Sequence, residues 1–100
     1  MKTKLDVNQI KTALRPVFRI YNVKTAVLFG SYAKGTADEK SDVDLYVDSG
    51  LTGLRFIGLI ESVREALNDK DVDMLDKTHI DAGSRVSDEI KRTGIVIYEG

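Results

Sequence analysis

The chain has 100 residues, of which 42% are apolar and 31% charged. That balance describes one folded domain over residues 1–100 with a single core, and it excludes a disordered chain. A formal net charge of −1 argues against a nonspecific grip on nucleic acid, and the lack of cysteine excludes disulfide frameworks and thiolate metal sites.

The opening residues, Met1 to Asp6, lack the long apolar core of a signal peptide. No run approaches membrane-spanning length, so a cytoplasmic location is the expectation and no membrane partner is expected. Residues 6–21 follow helical spacing, with Val7, Ile10, Leu14, Val17, Phe18 and Tyr21 on one stripe. Asp6 is a candidate N-cap. Pro16 conflicts with this helix and predicts a kink or break near Ala13 to Arg15.

Ala26-Val27-Leu28-Phe29 is a short apolar run that stops at Gly30-Ser31, which suits a buried strand. Gly30 permits a sharp turn and close approach to the backbone. Ser31 can cap a short helix, and Gly35 can end that helix in a left-handed conformation. Strand, turn and helix start leave N–H groups pointing outward, a ready phosphate site. An ordinary strand-to-helix turn reads the same way. Lys34 lies near the expected phosphates, where it contacts them or is simply solvated. The polar loop from Thr36 to Ser41 either closes over a bound nucleotide or serves as a connector.

In Asp42-Val43-Asp44-Leu45-Tyr46-Val47-Asp48 the apolar residues alternate, which predicts a strand with one buried face. Asp42 and Asp44 then project from the other face, about 6–7 Å apart. Two such carboxylates repel unless a cation or proton lies between them, and magnesium suits the pair. A solvated acidic strand face is the plainer alternative.

Residues 52–68 predict a second helix with Leu54, Ile57, Ile60, Val63 and Leu67 in one stripe. Phe56 and Leu59 widen the stripe, through deeper burial or as a partner surface. Asp71-Val72-Asp73-Met74-Leu75 predicts a third strand, with Val72 and Met74 on one face. If it lies beside the second strand, Asp71 or Asp73 completes a cluster of three acids able to bind two metal ions. His79 stands alone, away from other metal-binding residue types. Ile80, Val86 and Ile90 suggest a final helix stopped by Gly94, before a last strand at Ile95 to Tyr98. The expected fold is α+β or α/β, a small mixed sheet of three or four strands with helices mainly on one face.

Rival motifs fail on order and spacing. Lys34-Gly35-Thr36 reverses the order a P-loop needs, and only two glycines are available for a dinucleotide fingerprint. An EF-hand loop would require an oxygen ligand at Tyr46 and glycine at Val47.

Leu28-Phe29-Gly30-Ser31, Ser41-Asp42-Val43-Asp44-Leu45 and Val72-Asp73-Met74 together resemble the signature of the DNA polymerase beta-type nucleotidyltransferases. Within that superfamily the chain resembles the minimal nucleotidyltransferases, MntA-like antitoxins that pair with HEPN-domain toxins. The resemblance implies a polymerase beta-like core and a triphosphate-binding pair at Gly30 and Ser31; Lys34 and Ser41, which lie beside these motifs, are further candidate nucleotide contacts. It implies metal ligands at Asp42, Asp44 and Asp73, with Asp73 favoured over Asp71 by its apolar flanks. It further implies ATP as substrate with two magnesium ions, and AMP transfer to a tyrosine of the HEPN partner in a hetero-oligomer. Two other readings stay open: an antitoxin that masks its partner through surface such as Phe56 or Leu59, and a nucleotidyltransferase acting on a small molecule. Sequence-specific nucleic-acid binding is not expected.

Overall fold

The computed structural model describes residues 5–80 and 83–100. Helix α1 spans Val7–Ile20, strand β1 Thr25–Phe29, helix α2 Ser31–Lys34 and strand β2 Val43–Asp48. Helix α3 follows at Gly53–Ala66, strand β3 at Val72–Asp76, helix α4 at Arg85–Thr93 and strand β4 at Ile95–Glu99. The sheet order is β3-β2-β1-β4. β1 runs antiparallel to both β2 and β4, while α3 carries the chain back so that β3 runs parallel to β2. The sheet is therefore mixed, as expected for an α+β polymerase beta-like core.

Local chemistry accounts for the ends of α1. The Asp6 carboxylate accepts the Gln9 N–H at 2.7 Å, and the Gln9 side chain accepts the Asp6 N–H at 2.9 Å, a reciprocal capping box. The break expected at Pro16 does not occur, since α1 runs through it as one element. Pro16 and Thr12, whose carbonyl loses its helical donor, both lie on the exposed side, so water can satisfy that carbonyl.

Alternation along the strands separates two faces. Ala26, Leu28, Val43, Leu45, Val47 and Met74 point to one face, where Ile10, Leu14 and Phe18 of α1 and Leu59 and Val63 of α3 cover them. Each of these side chains larger than alanine, when fully buried, contributes about 2 kcal/mol. The α3 stripe is rotated from its expected position. Leu59 is fully buried and Phe56 partly buried, whereas Leu54 and Ile57 are 84% and 53% exposed. A 3.6-residue period fits both stripes, and only the position of the sheet chooses between them. The widening residues Phe56 and Leu59 thus serve deeper burial, Leu59 is not available to a partner, and the apolar surface left open is that of Leu54 and Ile57.

Helices do not lie only on the first face. A Cβ at Gly94 would stand 2.7 Å from Val27 Cγ1, so the end of α4 packs against the second face at β1. This leaves the β2–β3 half of that face open. Ser84 caps α4 by accepting the Ser87 N–H, and Ile80 lies outside the helix, in extended conformation. Residues 81 and 82, within the stretch expected to be helical, lie outside the described residues.

Asp76 ends β3 on the covered face and is 1% exposed. It accepts hydrogen bonds from the N–H and hydroxyl of Ser49 at 3.1 and 2.6 Å, and from those of Thr78 at 3.1 and 2.9 Å. Burial alone would push this carboxyl up, but the hydrogen bonds outweigh it and hold the group below its ordinary value. A lowered acid stabilises the fold above its unfolded pKa and loses that contribution as the pH falls through the folded one. Asp76→Ala should cost about 3 kcal/mol at neutral pH, because it strands both donors of buried Ser49 and removes the two bonds from Thr78. Denaturant unfolding at pH 7 and pH 3 should show a smaller difference between the two proteins at the lower pH.

Candidate active site

The site begins where β1 stops. Gly30 has φ 72° and ψ −151°, a region that essentially only glycine enters. The same residue has no room for a side chain, because a Cβ there would collide with the Asp44 carboxylate, with Cγ at 3.0 Å. Backbone and carboxylate are thus in direct register, since Phe29 pairs with Asp44 across the β1–β2 ladder.

Helix α2 follows at once. Gly30 rather than Ser31 occupies its N-cap, with no side-chain capping bond, so the Ser31 hydroxyl is not used as the expected cap. Gly35 closes the helix in the left-handed conformation, as expected, with φ 77°. The first-turn N–H groups of α2 follow directly on the Gly30 turn, which lies against Asp44.

The loop from Thr36 to Ser41 is folded on itself. Ser41 Oγ accepts the Asp38 N–H at 2.9 Å and donates to Asp38 Oδ1 at 3.2 Å, while Asp38 Oδ1 also accepts the Lys40 N–H at 2.8 Å. Ala37 is buried in the core. Ser41 therefore sits beside Asp42 with its hydroxyl engaged in loop bonds. Lys34 lies across from α4, where its ammonium pairs with Glu89 at 2.9 Å.

β2 and β3 bring the acids together. Asp44 and Asp73 are direct partners in the parallel ladder, on strands about 4.8 Å apart. Asp42 precedes β2 by one residue and is exposed, as is Asp73, whereas Asp44 is half-buried. Asp71 lies just before β3, and its carbonyl accepts the Val43 N–H at 3.0 Å. The Asp44 carboxyl is pushed up from 3.8 to about 6, first by burial, then by the charges of Asp73, Asp42 and Glu89. Among the described residues no three acidic, imidazole or thiol groups form a preformed cation cage. The donor chemistry nevertheless suits a hard cation: oxygen ligands whose negative charge nothing nearby offsets for Asp44.

Two contributors escaped the sequence reading. Glu89 reaches the site from α4, and a cleft of about 320 Å³ between α2 and α4 is lined by Lys34, Arg85, Glu89 and Arg92. Lys70 is 4% exposed, donates from Nζ to the Glu39 carbonyl at 3.0 Å and stands 5.6 Å from the Tyr32 ring centroid. It ties the start of β3 to the loop and to α2. A lysine beside the Asp71 to Asp73 strand is a faint signal for Lys70, whereas nothing in the local pattern singles out Glu89.

Two substitutions read this geometry out. A raised acid costs stability as it ionises, so the Asp44 penalty is absent below about pH 4 and complete above about pH 6. Asp44→Asn should therefore stabilise the protein in chelator by about 1 kcal/mol at pH 8, after discounting for solvent screening, with little gain at pH 4. Thermal melts of both proteins at the two pH values check this. Gly30→Ala, by contrast, should destabilise by about 2 kcal/mol through backbone strain and the collision with Asp44, read by the same melts.

The comparisons with known proteins agree on one family. Residues 8–100 match the family model described as Polymerase beta, Nucleotidyltransferase. A putative protein adenylyltransferase of Methanocaldococcus jannaschii is 36% identical over 73 residues, covering 71% of this chain and 77% of that protein. A second from the same organism is 35% identical over 83 residues, covering 80% of this chain and 95% of that protein. A chain in the crystal structure of a toxin–antitoxin with AMP-PNP superposes with TM-score 0.68 at 28% identity, over 96% of this chain and 75% of that one. A complex of tri-AMPylated Shewanella oneidensis HEPN toxin with MNT antitoxin shares the fold, with TM-score 0.66 at 21% identity over 94% of this chain and 73% of that one. On the strength of the family match and of these relatives, the chain belongs to the polymerase beta nucleotidyltransferase family.

Proposed function

We propose that this protein is an antitoxin that transfers AMP from ATP to a tyrosine hydroxyl of a HEPN-domain toxin, releasing pyrophosphate. One observation carries the reading: the Gly30 backbone and the Asp44 carboxylate are in contact, with Asp73 the ladder partner of Asp44. That arrangement sets a phosphate-binding turn directly against paired acids. The names of the relatives, protein adenylyltransferase and toxin–antitoxin with AMP-PNP, supply the acceptor class and the nucleotide.

The roles follow from position. The N–H groups after Gly30 and the Ser31 hydroxyl bind the triphosphate, and Lys34 turns from Glu89 toward its phosphates. Asp42, Asp44 and Asp73 would hold magnesium, which supplies charge neutralisation on the phosphates and acidifies the acceptor hydroxyl. Asp73, exposed at the outer strand, faces the side from which an acceptor can approach and takes the proton from its hydroxyl. The Ser41–Asp38 bonds fix the loop so that Asp42, just before β2, is held in a set position. Phosphoryl chemistry of this kind is mostly positioning and charge neutralisation, which a small scaffold can provide. Among the described residues no helix is long and apolar enough to cross a membrane.

The test is transfer of an α-phosphate label from ATP, with magnesium, to a co-expressed HEPN toxin. Wild type should label one toxin band on tyrosine. Asp42→Asn/Asp44→Asn should lose at least about 100-fold in rate, as should wild type in chelator, because transition-state charge is then left unneutralised. Unchanged labelling by the double variant would refute the assignment of these carboxylates. Toxin neutralisation that survives the variant, without label, would instead support masking.

A further inference from the structure

A second feature lies away from the acids. Among the described residues β4 is an edge strand, bonded to β1 alone, and a groove of about 450 Å³ runs between it and α1. Lys11, Arg15 and Arg19 line the α1 side, and the β4 side is lined by Val96 to Glu99, with Glu99 its one carboxylate. All three basic side chains are exposed, and among the described residues none pairs with a carboxylate. A chain of net charge −1 thus concentrates three unneutralised cations beside an unpaired strand edge.

The spacing narrows what fits. Residues four apart on a helix rise about 6 Å, so the three charges form a row about 12 Å long. Same-side residues of an extended strand repeat at about 6.7 Å, close to that step. Edge backbone offers N–H and C=O groups that only another extended chain can pair fully. Val96, 46% exposed, lines the groove from β4.

From this we infer that the α1–β4 groove is a docking site for an extended acidic protein segment. The segment adds to β4 as a fifth strand and sets alternate Asp or Glu side chains against Lys11, Arg15 and Arg19. Nucleic acid could meet the charges but not the strand edge. The inference is independent of the AMP-transfer reading, since neither Gly30 nor the acids take part.

The experiment uses a fluorescent ten-residue peptide of alternating glutamate and valine, titrated by anisotropy at low and moderate salt. Wild type should bind it, with affinity falling as salt rises. Arg15→Gln/Arg19→Gln, which keeps two aliphatic stems and no charge, should bind at least tenfold more weakly while its melting temperature is retained. A peptide of the same sequence with alternate amides N-methylated on the pairing edge should lose a similar factor. Equal affinity of the methylated peptide, equal affinity of the Gln variant, or tighter binding of a single-stranded RNA of equal charge would each overturn the proposal. So would the absence of peptide binding.

Discussion

The contact between the Gly30 backbone and the Asp44 carboxylate is the constraint on which the rest of the site depends. It requires a residue with no side chain, at a backbone conformation other residues avoid, at the end of one strand and opposite a fixed position of the next. The ladder between β1 and β2 sets that opposition. Leu28 and Leu45 pair on the covered face one step away, so the apolar core holds the register that the polar face uses. A slip of one residue would turn Asp44 into the core and Leu45 toward solvent. Packing energy on one side of the sheet thereby becomes positional accuracy on the other.

The acids carry an electrostatic cost that the fold tolerates because it is small and local. Burial and three neighbouring carboxylates oppose ionisation of Asp44. Against this the chain sets well-satisfied polar groups elsewhere. The buried Asp76 has four hydrogen bonds, and the buried Lys70 reaches a carbonyl and an aromatic face. The contrast separates structural from reactive charge: Asp76 is fully partnered, whereas Asp44 is left with repulsion that a bound cation would relieve.

Strand alternation made much of this legible before any coordinates. Val43, Leu45 and Val47 could only face a core together, which put Asp42 and Asp44 on the opposite face. Asp73 was marked by its own apolar flanks. What the sequence did not reveal lies in relations between elements. Leu54 and Leu59 both fit helical stripes on α3, and the sheet alone decides which is buried. Pro16 looked like a break because local rules count the lost hydrogen bond, but not the solvent that can replace it on the exposed side of α1. Glu89 and Lys70 reach the site through relations that the patterns of their own segments do not state, one through the return of α4 over β1 and one through its contact with Tyr32 of α2. The cap at α2 went to Gly30 because the turn itself, rather than a hydroxyl, sets the direction of the first N–H groups.

The parallel pairing of β2 and β3 has a further consequence, for the order in which the chain acquires its site. Antiparallel neighbours such as β1 and β2 can close over a short loop, whereas β3 cannot meet β2 until the intervening α3 has formed and turned back. The pairing of Asp44 with Asp73 therefore closes a longer loop than the β1–β2 ladder, though a shorter one than β1–β4, and costs more loop-closure entropy than β1–β2. During synthesis the Gly30 turn and Asp44 can be in place while Asp73 is still being made. Under the proposed function, competence for AMP transfer then depends on a pairing beyond the reach of β1 and β2 alone, and slowing the formation of α3 would delay it without touching a single one of the proposed site residues.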